Sequence, residues 1–419
     1  MEAVQIDAIS AFTNGILDEE VYTYLPDGFK QPGKVLQLQR ALYGLRRSPL
    51  IWLREFSHTL IKLGLQPIPE AQCLFTNRCI IVFFYVDNVV ILYHKRHQAE
   101  FREFKQSLLQ TYDFKDLGKL KWFLGIRILR DRNIQRLWLC QDSYIEKMAK
   151  SFNLLDSANQ KTPLSTEETV LTPNTEQATA QEVHGYQTRI GSTTYATTIT
   201  RPDAAKASNT LAGFMLNPTP AQIKAINRLI KYLYDTRYLA IEYSAQAQND
   251  SIEPEFRCST DAAFGDNPDT RRSTEGYLFK LFGGAIDWRS TKQKLVTKSS
   301  TEAELVALSH ASTEIYWWRR FFTQIQLQLE DYEVECDNQQ TIRLLTTPAI
   351  KLATKLKHID IHHHWLRQEV QEQRLQLKWI PTNSMPADGF TKALPTQKHN
   401  IFLKQLGLVD IKHLVQTST

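Results

Sequence analysis

The chain has no cysteine pairs at metal or disulfide spacing, no long uninterrupted apolar run and no strong excess of one charge. Its five cysteines, Cys73, Cys79, Cys140, Cys258 and Cys336, are scattered over 419 residues. That scatter excludes a zinc module or a disulfide-stapled scaffold and points to a reducing, intracellular compartment, cytoplasmic or nuclear. The opening MEAVQIDAIS has neither a basic n-region nor an apolar core, so no secretory signal is expected. The most apolar stretch, 79–93, is too short to cross a bilayer and carries Asp87 at its middle, so no membrane partner is expected. With 50 Lys and Arg against 45 Asp and Glu, the formal net charge is only +5, too little to argue for nucleic acid by itself.

Hydrophobic residues make up 42% and charged residues 23%, an ordinary globular balance, and the length leaves room for two or three domains with sizeable cores. The basic residues are unevenly placed. Residues 34–54 carry Lys34, Arg40, Arg46, Arg47 and Arg54 with no acid, and residues 119–136 carry six basic residues against Asp131 alone. Such stripes suit a phosphate backbone, as they suit a solvated helix face. The polar, Thr- and Gln-rich stretch 156–185 predicts a linker or loop, and 245–255 a second boundary.

The stretch 79–93, CIIVFFYVDNVVILY, reads as two buried strands around an Asp87-Asn88 turn, a hairpin that presents a carboxylate at a rigid tip. Residues 2–8 read as a strand carrying Asp7, and turn signals at Asn14-Gly15 and Pro26-Asp27-Gly28 bracket another. Residues 34–65 read as a strand turning into a helix, with Leu42, Leu45, Trp52, Phe56, Leu60 and Leu63 at helical intervals. A helix near 96–111 presents Phe101, Phe104 and Leu108, strands at 122–129 and 136–141 flank a charged turn, and helices follow through about 186–237. From 256 the order is strand, strand, Gly283-Gly284 turn, strand, long helix (301–323), strand, two helices, strand and a closing helix. That order predicts an α/β unit with a mixed sheet, and for the whole chain an α+β fold class.

In sequence order, QIDAISAFTNGILDEEVY, ALYGLRRSP, FFYVDNVVIL and DLGKLKWFLGIRI closely resemble the reverse transcriptase of copia-type LTR retrotransposons. YQTRIGSTTYATTITRPDAA and INRLIKYLYDT resemble the connection that follows it, and RRSTEGYLF, SSTEAELVAL, KHIDIHHHWLR and ADGFTKALP resemble the ribonuclease H domain of the same Pol polyproteins. The resemblance implies a palm and thumb-like region over 1–155, a linker and helical connection over 156–250, an RNase H-like α/β domain with a mixed five-stranded sheet over 251–396, and a C-terminal tail. It implies an RNA template, a DNA primer and an RNA–DNA hybrid as partners, and deoxynucleotides where the polymerase is active. It also implies two Mg2+ ions per active site, with Mn2+ as a substitute.

Residue by residue, Asp7 and Asp87 match the metal-binding carboxylates of the polymerase palm. Phe12 matches the aromatic that blocks a ribose 2′-hydroxyl and fits a core position equally well. Tyr43, Gly44, Arg46, Arg47, Tyr85, Asn88 and Lys121 are carried over as nucleotide or nucleic-acid contacts. Asp261, Glu304, Asp337 and Asp388 match the Asp-Glu-Asp-Asp order with which ribonucleases H hold metal. Each has a plainer reading: Thr301-x-x-Glu304 as a capping box, Asp388 as a helix cap, Asp261 and Asp337 as turn starters. Glu302, two residues from Glu304, is expected to face solvent, and Trp317 and Trp318 to be packing or surface residues on the long helix. The run His362-His363-His364 is not read as a metal site, because consecutive helical residues project about 100° apart. His358 or His364 is a candidate base for product release.

Three departures from the family pattern stand out. Asn88 replaces the second Asp usual in the tetrad, Arg47 and Leu50 differ from the Gln and Arg common at those places, and the sequence begins just before Asp7, where most of a fingers region is expected. An impaired polymerase is therefore expected, in a piece of a longer polyprotein. The alternatives are a non-catalytic nucleic-acid-binding remnant and an integrase. The latter calls for an Asp, Asp, Glu order behind a His/Cys zinc module, neither of which is present.

Overall fold

The computed structural model describes residues 1–156, 159–165, 171–245, 256–329, 332–347 and 357–416. Most of the expected boundary at 245–255 and part of the linker lie outside them, as does the His358 side chain. The chain divides into two compact units, Met1–Phe123 with Trp317–Gln328, and Leu124–Tyr316 with Leu329–Thr419. This differs from the four-segment division read from sequence. No helix among the described residues is long and apolar enough to cross a membrane.

The first unit begins with β1 (Glu2–Ala8), followed by a separate hairpin of β2 (Ile16–Thr23) and β3 (Leu36–Arg40). β4 (Gln66–Ile68), β5 (Ala71–Thr76), β6 (Ile80–Tyr85), β7 (Asn88–Tyr93) and β8 (Phe114–Lys119) join β1 in a six-stranded sheet of order β4-β5-β6-β7-β1-β8. A short strand, β9 (Trp122–Phe123), follows. Period-2 alternation sends Ile80, Val82 and Phe84 of β6 to one face, where helix Ser48–Lys62 meets them with Trp52, Phe56 and Leu60 at i, i+4, i+8. Phe56 stacks on Trp52 with centroids 5.0 Å apart and meets Phe84 edge-on at 4.8 Å. Leu42 and Leu45, read as helical, precede the helix, and Leu42 is exposed. Pro49 in the first turn fixes the start at Ser48, so these leucines lie in the turns before it.

The second unit opens with β10 (Ile126–Asp131), β11 (Arg136–Cys140) and β12 (Leu239–Ser244), antiparallel neighbours. The expected strand at 122–129 is broken at Leu124 and Gly125, both with positive φ. Helices Asp142–Ser151, Ala180–Ile199 and Pro220–Asp235 bury Ile145, Tyr186, Ile190, Leu229 and Leu233 in one cluster. Ala180–Ile199 starts within the stretch read as linker, because Thr179 and Glu182 form a capping box there.

β13 (Phe256–Ala263), β14 (Thr274–Leu281), β15 (Gly284–Lys292), β16 (Glu333–Cys336) and β17 (Gln376–Trp379) form a sheet of order β15-β14-β13-β16-β17. β13, β14 and β15 are antiparallel, while β16 and β17 run parallel to β13 and to each other. This is the mixed five-stranded sheet expected. The long helix Ser300–Gln324 lays Ala303 and Ala307 against Ala262 of β13. Residues 397–416, expected as a tail, instead form most of helix Thr396–Gln405 and β18 (Leu408–Asp410), which pairs with β12.

Candidate active sites

In the first unit Asp7 and Asn88 are directly opposed on β1 and β7, so their side chains share one face of the sheet. Asp87 sits just beyond, and its carbonyl accepts the Ala8 N–H at 2.8 Å. The turn is formed by Val86 and Asp87 rather than by Asp87 and Asn88, because Tyr85 pairs with Asn88 in the ladder. Val86 takes φ 56°, an unfavourable region for a β-branched residue. Trp52 Nε1 donates to its carbonyl at 2.7 Å and fastens the turn to the helix below.

Burial, and then the facing Asp87, raise the Asp7 carboxyl above its ordinary range, while Lys115 opposes the shift. Phe12 is buried and packs on Tyr43 with centroids 4.4 Å apart. Burial, followed by the charge of Asp87 and then that of Asp7, raises the Tyr43 phenol, while a backbone hydrogen bond at Ala11 opposes the shift. Asn88 is committed on both sides. Its Oδ1 accepts from Gln5 at 3.2 Å and its Nδ2 donates to Asp87 Oδ1 at 3.1 Å. Among the described residues no third Asp, Glu, His or Cys donor closes on this pair. Gly44 has φ +97°, Arg46, Tyr85 and Lys121 are exposed, and Arg47 is held by Asp18 at 2.5 Å and Glu19 at 3.1 Å.

In the second unit four carboxylates converge on one end of the mixed sheet. Donor atoms of Asp261, Asp337 and Asp388 lie within 4.8 Å of one another, as do those of Glu304, Cys336 and Asp337. Asp261 comes from β13, Asp337 follows β16, and Asp388 opens the short helix Asp388–Thr391. Two glycines give that short helix its close packing, Gly276 towards the sheet and Gly389 towards helix Thr396–Gln405. A Cβ on Gly276, the β14 partner of Asp261, would lie 2.6 Å from Phe390 Cβ, and one on Gly389 would lie 2.4 Å from the Phe402 ring.

Glu304 is buried and faces inward, while Glu302 is the capping residue. Ser299 Oγ accepts from Glu302 N–H at 3.2 Å, and Glu302 Oε2 accepts from Lys298 N–H at 2.7 Å. The cap thus lies two residues before the Thr301–Glu304 pair, which leaves Glu304 to the site.

Each carboxylate has at least one oxygen anchored. Thr391 Oγ1 donates to Asp261, the Ala262 N–H to Glu304 Oε1 at 3.2 Å, Thr382 Oγ1 to Asp337 Oδ2 at 2.8 Å, and Lys392 Nζ to Asp388 Oδ1 at 2.5 Å. Glu304 Oε2 is buried with no hydrogen-bond partner. Burial, opposed by Lys392 and reinforced by Asp388, pushes the Asp261 carboxyl up to about 6, and burial with Asp261 and Asp337 drives Glu304 well above the usual range. An orphaned buried oxygen among crowded carboxylates is the condition a hard divalent cation relieves, so the donor set fits Mg2+ or Mn2+. Cys336, whose thiol burial pushes up, is a soft sulfur donor beside this hard oxygen set.

The sequence reading missed Gln5, Thr382, Thr391 and Lys392. Three of these adjoin motifs already singled out: Gln5 opens QIDAIS, and Thr391 and Lys392 stand in ADGFTKALP. In the histidine run, His362 bonds Ser309 Oγ at 2.7 Å, while Asp360, His363 and His364 do bring donor atoms within 4.8 Å, closer than the angular argument allows. Trp317 stacks on Phe321 and Trp318 on Phe322, as expected for packing.

Residues 2–166 match the family described as reverse transcriptase (RNA-dependent DNA polymerase). The chain is 33% identical over 421 residues to the retrovirus-related Pol polyprotein from transposon TNT 1-94 of Nicotiana tabacum, covering 97% of this chain and 31% of that protein. It is 29% identical over 416 residues to the Pol polyprotein from transposon RE1 of Arabidopsis thaliana, covering 97% and 27%. The chain thus spans less than a third of the length of these relatives. A solved foamy viral protease-reverse transcriptase in complex with RNA/DNA hybrid overlays with TM-score 0.49 at 13% identity, over 91% of this chain and 44% of that one. Over nearly its whole length the chain is thus similar to the retrovirus-related Pol polyproteins of transposons, with the reverse transcriptase family match over residues 2–166.

Proposed function

We propose that the second unit hydrolyses the RNA strand of an RNA–DNA hybrid at the Asp261, Glu304, Asp337 and Asp388 centre, using two Mg2+ ions for which Mn2+ can substitute. The convergence of these four carboxylates, with the unpartnered Glu304 Oε2 among them, is the observation that carries this reading. Bound Mg2+ supplies Lewis-acid polarisation of phosphoryl oxygens and offsets their charge. The protein's own part is positioning. Thr391, Thr382 and the Ala262 N–H hold one oxygen each of Asp261, Asp337 and Glu304, so these three carboxylates are oriented before metal binds. Five free cysteines fit an intracellular setting.

For the first unit we propose a palm site of reduced polymerase activity, taking RNA template, DNA primer and deoxynucleotides. Asn88 spends both amide atoms on Gln5 and Asp87, and brings no charge. The same observation favours, for this unit, the reading of a nucleic-acid-binding element without catalysis.

The test is cleavage of an RNA–DNA hybrid by the full chain in Mg2+. Asp337→Asn keeps the shape and removes the charge, and is expected to lower the rate at least about a hundredfold with folding intact. Glu302→Gln, whose side chain serves the helix cap with Lys298, retains most of the rate. An unchanged rate in Asp337→Asn overturns the four-carboxylate assignment.

A further inference from the structure

Lys392 lies four residues beyond Asp388, one turn on, and its ammonium reaches back into the carboxylate centre. Nζ is 2.5 Å from Asp388 Oδ1 and 3.6 Å from Asp261 Oδ2. These two residues supply two of the three donors in the set that closes with Asp337. A divalent cation bound by oxygens at about 2.1 Å must use the space between those carboxylates, and the ammonium already stands against two of them. We propose that Lys392 is the built-in counter-ion of this centre, competing with the divalent cation for Asp261 and Asp388 and moving aside when metal is loaded. This inference rests on the ribonuclease H reading given above.

Three further observations support it. The Lys392 side chain is 44% exposed, so its four-carbon stem has solvent into which to swing, whereas Asp261 is 2% exposed and fixed by Thr391. At 2.5 Å the Asp388 contact is a charge-assisted hydrogen bond, and a lysine side chain is ordinarily cationic at neutral pH. The lysine also leaves Glu304 Oε2 unpartnered. One monovalent group therefore balances only part of a four-carboxylate site, and a second, stronger cation still has reason to bind. A lysine suits this part better than an arginine would at an anchoring site, being a compact point charge on a flexible stem rather than a bidentate fork.

The competition predicts a definite sign. Removing a unit positive charge next to a bound dication tightens metal binding, by about tenfold for a separation of a few ångströms in a partly solvated site. The experiment is calorimetric titration of the full chain with Mn2+ at pH 8, without nucleic acid, for the wild type, Lys392→Gln, Lys392→Arg and Asp337→Asn. Lys392→Gln is expected to bind Mn2+ about tenfold more tightly, and Lys392→Arg within about twofold of wild type. Thermal melts in EDTA and in Mn2+ add a second readout: Lys392→Gln should show the larger metal-induced rise in Tm. Mn2+ affinity unchanged or weakened in Lys392→Gln, while Asp337→Asn binds less well than wild type, overturns the counter-ion role and leaves the metal centre standing. Wild type and Asp337→Asn titrating alike overturns the metal-centre reading, and this inference with it.

Discussion

Asn88 shows how much a single amide can settle. Gln5 donates to its Oδ1, and would donate equally to a carboxylate, so Asn88→Asp is sterically accommodated. The bond from Nδ2 to Asp87 is lost, however, and the substitution sets a carboxylate against Asp87 beside Asp7, whose carboxyl is already raised by burial and by Asp87. That repulsion is relieved only by a cation. Asn88→Asp is therefore expected to lower Tm in EDTA, recover it in Mg2+, and raise extension of a primed RNA template about tenfold over the unaltered chain. Robust extension by the unaltered chain would show that Asn88 is no impediment.

Among the elements, the helical connection is joined to the end of the chain by one buried polar network. Arg201 and Asp203 are buried, and form a bidentate pair at 2.9 and 2.7 Å. Tyr232 of helix Pro220–Asp235 donates to Asp203 Oδ2 at 2.5 Å, and its oxygen meets His399 Nε2 of helix Thr396–Gln405 at 2.7 Å. Since the phenol proton goes to Asp203, His399 Nε2 is the donor in the second bond. Burial alone would raise Asp203, but the Arg201 guanidinium overrides it and keeps the carboxyl below its usual range. Asp203→Asn strands a buried guanidinium and is expected to cost about 3–5 kcal/mol in denaturant unfolding.

The same network sets a pH dependence. Burial depresses His399 below its ordinary 6.5, with Arg201 assisting and Asp203 opposing. The unfolded chain therefore takes up a proton that the folded one refuses, and stability falls as pH drops through 6.5 towards the folded value. Thermal melts between about pH 7.5 and 5.5 should show this decline, and His399→Gln, which can still donate to Tyr232, should flatten that share of it. A slope identical in both proteins would remove His399 as the cause.

At the scale of the whole molecule the sequence stripes of basic residues become a smaller, better defined surface. Arg40 donates to the Thr13 and Asn14 carbonyls, Arg47 pairs with Asp18 and Glu19, Arg127 forms a bidentate pair with Asp142, and Arg136 lies 3.4 Å from Glu242. Lys34, Arg46, Arg54, Lys119 and Lys121, all in the first unit, are exposed. If these five are the phosphate contacts, affinity for a primer–template duplex should fall by roughly 10²–10³ between about 50 and 200 mM salt. Lys121→Glu should shallow that slope, and affinity flat across the range would contradict the assignment.

Local pattern was enough to identify much of this protein. Period-2 alternation at 79–93 and helical spacing of Trp52, Phe56 and Leu60 depend on near neighbours, and the ordered Asp261, Glu304, Asp337 and Asp388 fell where strand ends and helix starts predict them. The sequence could not say which residues complete those sites. Thr391 reaches Asp261 across 130 positions, Thr382 reaches Asp337 across 45, and Gln5 reaches Asn88 across 83. Nothing in local periodicity encodes such contacts. The hairpin turn shifted by one residue because Asn88 is held in the ladder opposite both Tyr85 and Asp7, a constraint that exists only once β1 lies beside β7. The arrival of Lys392 among the carboxylates likewise depends on Gly276 and Gly389 letting a one-turn helix press against the sheet on one side and helix Thr396–Gln405 on the other. Sequence determined which groups carry charge and in what order; packing decided which of them meet, because pairing across a hundred residues is settled by the shape of the assembled core.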